Sequence, residues 1–193
     1  LPVFDVNLLP SSLLLRDSVW TISPSEIIYY PNDTLIDIRH LNIGTSYQQI
    51  AAHGKASKKA ADSLNVQLKN IDLAYVLKFT RVRPQAITFS GLIDGWANIY
   101  STLSAPMFEA DARIKNAYIN STMMGDAHAV ATLDKENKRV IIDGNLTEQD
   151  RRVAHVDGEV IPKQKYWGVD IDIDSARLGF IEHWTKNFLR DIQ

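Results

Sequence analysis

The chain has no cysteine. Disulfide staples, thiolate nucleophiles and zinc–sulfur sites are therefore excluded, while the cellular compartment is left open. No apolar run approaches the roughly 20 residues of a membrane-spanning helix, and no signal peptide is visible. The net charge of −2 gives no electrostatic footprint for nucleic acid or for an anionic membrane. A Gly-x-Ser-x-Gly elbow, a Walker loop and a Gly-x-Gly-x-x-Gly stretch are all missing. The five histidines, His40, His53, His128, His155 and His183, form no i, i+4 pair. They read as isolated strand and turn residues. No catalytic residue, metal site or cofactor is assigned.

What is present is alternation. In Ile87–Ile119, Ile87, Phe89, Ile93, Ala97 and Ile99 fall on one face of an extended strand, with Ser90, Asp94 and Asn98 on the other. Past Pro106, Phe108, Ala110, Ala112, Ile114 and Tyr118 alternate with Glu109, Asp111, Arg113 and Lys115. A period of two means strand, and a single apolar face means a sheet that covers something. Val140, Ile142 and Leu146 repeat the pattern, as do Val169, Ile171 and Ile173. Strands every 8–12 residues joined by short turns predict an all-β, antiparallel meander with two short helices. One apolar face of this kind would build the core of a β-sandwich. With 193 residues, the chain can bury a core without staples.

Pro10 and Pro24 break the first stretch into short strands. At Asn70 the period changes, and Leu73, Val76 and Leu77 predict a helix with Asn70 or Asp72 as its cap. A second helix is expected over residues 176–189. Leu64–Val76 matches Val169–Ile181 position by position, a strand-then-helix unit used twice. The organisation expected is residues 1–62 as a partial repeat, 63–163 as a strand-helix unit with the central sheet, and 164–193 as a second, truncated unit. Both ends look cut, so the chain reads as a piece of a longer protein, any anchor lying outside it.

Weaker signals have bland readings. Asp170, Asp172 and Asp174 lack the Gly and Glu of a calcium loop and read as a solvated strand face. A hydrolase built on them is a minor alternative. Lys55, Lys58 and Lys59 read as a solvated turn. Gly91 and Gly95 read as bulges or close backbone approaches. Trp20, Trp96, Tyr100, Trp167 and Trp184 would suit core packing or, in a secreted or cell-surface β-sandwich, carbohydrate stacking.

Ser90-Gly-Leu-Ile-Asp-Gly95, Leu103-Ser-Ala-Pro106, Asn116-Ala-Tyr-Ile119 and Met124-Gly-Asp126, in that order, resemble the repeated unit of the TamB family within the AsmA-like group. Trp20-Thr-Ile-Ser-Pro24 and Gln49-Ile-Ala-Ala-His-Gly54 resemble its bacteroidete branch. The resemblance implies a non-enzymatic, periplasmic segment of a protein anchored in the inner membrane, its sheet curled into an apolar-lined trough. It implies roles in phospholipid transport towards the outer membrane or in outer-membrane protein assembly. Phospholipid acyl chains are then expected partners, with an outer-membrane barrel reached through regions outside this segment and no nucleic acid involved. The expected groove residues are Ile87, Phe89, Ile93, Ile99, Phe108, Ala110, Ala112, Ile114, Val140, Ile142 and Leu146.

Overall fold

A computed structural model describes residues 1–15, 18–73, 88–120 and 122–174. Among them, thirteen strands join one open antiparallel sheet. The first six are β1 (Phe4–Leu8), β2 (Ser11–Leu15), β3 (Ser18–Ile22), β4 (Ser25–Tyr30), β5 (Leu35–Gly44) and β6 (Gln49–Ala56). Next come β7 (Ser63–Asp72), β8 (Phe89–Tyr100), β9 (Met107–Ile119) and β10 (Thr122–Asp134). β11 (Arg139–Glu148), β12 (Arg151–Ile161) and β13 (Tyr166–Ile173) complete it, with one 3-10 turn at Pro162–Gln164.

From β4 onward each strand pairs with the next in sequence, through to β13. Short turns allow this, because antiparallel neighbours need only a hairpin between them. The start is different. β1 pairs with β4, and β3 reaches β5 beyond the end of β4, with Thr21 opposite Gly44 and Ile22 opposite Ile43. β3 and β4 thus share one edge of β5, separated at Ser23 and Pro24, where proline removes a ladder donor. The open single sheet decides between the two packings expected from the sequence. There is no second sheet facing the first among the described residues, so the sandwich does not form.

Alternation and register together sort the side chains. Leu64, Ile99, Phe108, Leu133, Val140 and Val160 lie towards one end of a continuous apolar face. Ile93, Ile114, Ala127, Leu146, Ala154 and Ile173 run across the same face further along the strands. The burial is that of a single layer. Among the described residues nine apolar side chains are buried, led by Val140 at 0% and Ile71 at 1% exposure, while twenty-one large ones are exposed.

Three strands running in the same direction carry a bulge, each stepped along from the one before. Register shifts fall between Ile38 and Leu41, between Leu68 and Ile71, and in β9 opposite Ser90 and Leu92. Each contains a residue with left-handed backbone: His40 at φ 59°, Asn70 at φ 51° and Asn116 at φ 51°. The local sequences agree: Ile-Arg-His-Leu, Leu-Lys-Asn-Ile and Ile-Lys-Asn-Ala. Asn tolerates this conformation better than most residues. In two cases an aspartate of the next strand latches the bulge, Asp94 accepting from the Asn70 N–H and Asp126 from the Asn116 N–H, both at 2.8 Å. Bulges raise local twist and bend the strand that carries them.

These bulges correct two expectations. Asn70 lies inside β7 as an inserted strand residue rather than at a helix cap, whereas Asp72 ends β7 directly before Leu73, which is helical. Tyr118 leaves the apolar row and stands opposite Ser90 and Met123. Beyond Leu73, the helix expected after Asn70 lies outside the described residues, as do the helix expected over 176–189 and the helical halves of the strand-helix repeat. Gly91 sits at φ 143° beside a register shift, and a Cβ on Gly95 would collide with the backbone oxygen of Asp111. Both glycines therefore mark the bulge and close approach that their positions suggested.

Candidate functional site: the apolar face and its rim

Of the residues expected to line a groove, the described ones share a face. Ile99 is opposite Phe108, Ile93 opposite Ile114, and Ala110 and Ala112 stand opposite Ala97 and Gly95. On their other side Ala110, Ala112 and Ile114 meet Ala131, Ala129 and Ala127 of β10. The row continues to Ile142, opposite Ala131; Val140, opposite Leu133; and Leu146, opposite Ala127. Phe89 opens β8 opposite Ile119 and is 37% exposed. Ile87 lies outside the described residues.

The apolar face is wider than that set. Ile36, Ile38, Ile50, Val66, Val156 and Val169 extend it on both sides by the same registers. Period-two alternation in β5, β7, β12 and β13 was the signal, and only pairing shows that these strands present it on the same side. At the β13 edge the face is open to solvent, with Trp167, Val169, Ile171 and Ile173 between 47% and 74% exposed.

The opposite face is polar and held by cross-strand pairs. Arg39 bonds both carboxylate oxygens of Glu26, Arg139 reaches Asp134 and Glu159 at 2.9 and 2.6 Å, and His128 meets Asp111 at 3.0 Å. Hydrogen bonds from Asn137, then from Arg139, hold the Asp134 carboxyl down at about 2. Between β11 and β13 this matching fails: Asp143 is opposite Asp157, and Asp157 opposite Asp170. His155 Nε2 lies 3.1 Å from Asp157 and 3.6 Å from Asp143, and its Nδ1 is 3.0 Å from Asn145 Oδ1. The donor atoms of Asp143, His155 and Asp157 all lie within 4.8 Å of one another. A doubly protonated imidazole or a cation would satisfy this geometry, because two carboxylates face one ring nitrogen. Both carboxylates are about 60% exposed, as on a solvated face.

The sequence reading missed this trio because its members come from two strands. Asp170 and Asp172 are on the polar face, opposite Asp157 and His155, whereas Asp174 accepts a 2.6 Å bond from Arg152 that lowers its carboxyl pKa. Trp20, Trp96, Tyr100 and Trp167 do not come together, and the stacked pair among the described residues is instead Phe4 with Tyr29, ring centroids 6.3 Å apart. Trp20 is buried in β3, Trp96 is on the polar face opposite Gln67 and Asp111, and Trp167 is at the β13 edge. Tyr100 bonds Glu109 at 3.0 Å, and burial followed by that bond raises its phenol pKa. Trp184 lies outside the described residues.

No helix among the described residues is long and apolar enough to cross a membrane. Comparisons with known protein families, with curated proteins and with solved structures find no match.

Proposed function

We propose that this chain is a non-enzymatic segment of a TamB-like protein of the bacterial periplasm, belonging to a chain anchored in the inner membrane. Its apolar sheet face shelters phospholipid acyl chains in transit between the inner and outer membranes, or contributes to outer-membrane protein assembly with a barrel partner bound elsewhere on the parent protein. The observation that supports this reading is one apolar face continuing from β4 to β13 in a sheet with no facing layer among the described residues. A sheet that only had to fold would hide that face under a second one. Leaving water is worth about 0.8 kcal/mol for each CH₂ of an acyl chain, so a face several strands wide holds a lipid tail without any specific polar contact.

Photocrosslinking in cells tests it. Probes at Ile99, Phe108 and Ile142 should yield phospholipid adducts, and probes at Asn98, Asp143 and Asn145 on the polar face should not. Silence at both sets, or equal labelling of both, would sink the lipid reading.

A further inference from the structure

Five turns close the sheet at one end: residues 31–34, 57–62, 101–106, 135–138 and 162–165. They hold six lysines, Lys58, Lys59, Lys135, Lys138, Lys163 and Lys165, against three acids, Asp33, Asp62 and Glu136. Two of these acids are engaged, Asp33 with Lys59 at 3.9 Å and Asp62 with Ser57 Oγ at 2.7 Å. The described turn residues at the other end, 45–48, 120 and 149–150, contain no lysine or arginine.

At the basic end lies a cleft of about 610 Å³ with Lys58, Lys135, Lys138 and Lys163 in its lining and no acidic residue. Its apolar part includes Tyr100, Met107 and Leu133. Leu133 also belongs to the apolar face, opposite Val140, whereas Tyr100 and Met107 are opposite each other on the polar side, so the cleft meets the apolar face at Leu133. The 101–106 loop folds against the 57–62 turn through Leu103 N–H to Ser57 O at 3.0 Å and helps shape the wall. Among the described residues none of the four lining lysines makes an ion pair, in contrast with Lys59 and Lys115. Four like charges around one cavity repel one another, and a bound anion relieves that repulsion. Lysine ammonium groups bind phosphate as point charges without needing a fixed fork geometry.

We propose that this cleft takes the headgroup of an anionic phospholipid, its phosphodiester among the four ammonium groups and its acyl chains passing Leu133 onto the apolar face. The inference rests on the reading of that face as a lipid shelter and adds where, and by which chemical group, the lipid is held. The test uses the 193-residue chain and dihexanoyl phosphatidylglycerol below its micelle concentration. Calorimetry should show binding that weakens with added salt. Lys135→Glu with Lys138→Glu, both on an exposed hairpin tip, should weaken it at least tenfold and leave the circular dichroism spectrum unchanged. In cells, the Ile142 probe should still label lipid in the parent chain.

Unchanged affinity in the double variant, or equal affinity for dihexanoyl phosphatidylcholine, would overturn the headgroup site while leaving the apolar face in place. Inorganic phosphate binding as tightly as the lipid would mark a free-anion site and overturn it too. So would a charge effect seen only with phosphatidylglycerol vesicles, which would mean adsorption to a bilayer surface. Absence of lipid at Ile142 in the unsubstituted protein would instead remove the reading on which the proposal stands.

Discussion

The two faces of this sheet are built by the same alternation and held by different forces. On the apolar face, neighbours across strands are nearly all aliphatic or alanine, from Ile27 opposite Ile38 to Val156 opposite Ile171. On the polar face, directional pairs such as Glu26–Arg39 and Asn65–Asn98 alternate with mismatches such as Asp143 opposite Asp157. Like charges directly across a ladder are unfavourable by a fraction of a kcal/mol, and the fold tolerates them. A one-residue slip would put every aliphatic side chain into water and costs far more. The apolar face therefore sets the register, and the polar face adapts to it.

Substitutions break this comparison in a definite order. Ile71→Ala, at a position only 1% exposed, should cost about 2–5 kcal/mol in urea unfolding, because the site cannot collapse fully. A loss below 1 kcal/mol would mean that this face does not carry the stability. Next comes the bulge latch. Asp94→Ala leaves the Asn70 N–H without its 2.8 Å partner and should cost about 1–3 kcal/mol, with faster amide exchange centred on Asn70.

Smaller still is the ion-pair set on the polar face. The Asp134 carboxyl is held below its unfolded value, so its contribution is complete above about pH 4 and is lost as pH falls towards about 2. Arg139→Ala should remove part of that dependence, seen as a flatter stability curve between pH 4 and 2, and a curve parallel to that of the unsubstituted protein would refute it. The smallest effect belongs to the open edge of the apolar face. Ile171→Ser, at 60% exposure, should change stability by less than about 0.5 kcal/mol. A large loss there would show that β13 is covered in solution.

Much of this architecture was legible from residue order. The stretches Phe89–Tyr100, Met107–Ile119 and Arg139–Glu148 alternate as strands and are strands. Asn70 was misread for a physical reason. An inserted strand residue moves the apolar phase by one position, and that shift is the period change at Asn70, where a helix cap was expected. The lysine-rimmed cleft was hidden because its four charges come from three turns, 57–62, 135–138 and 162–165, each too small to count as a basic patch alone. Asp143, His155 and Asp157 were hidden likewise, since ladder partners need not be close in sequence.

Residue order alone is enough to say which residues extend, where they turn and which side chains share a side within each strand. These follow from the local pleat of the backbone, whose period is two. That the strands form a single open layer, that β3 and β4 share one edge of β5, and that lysines from three turns line one cleft emerges in the folded sheet. Those facts depend on which strand pairs with which and in what register, a non-local choice made by hydrophobic matching across the whole sheet.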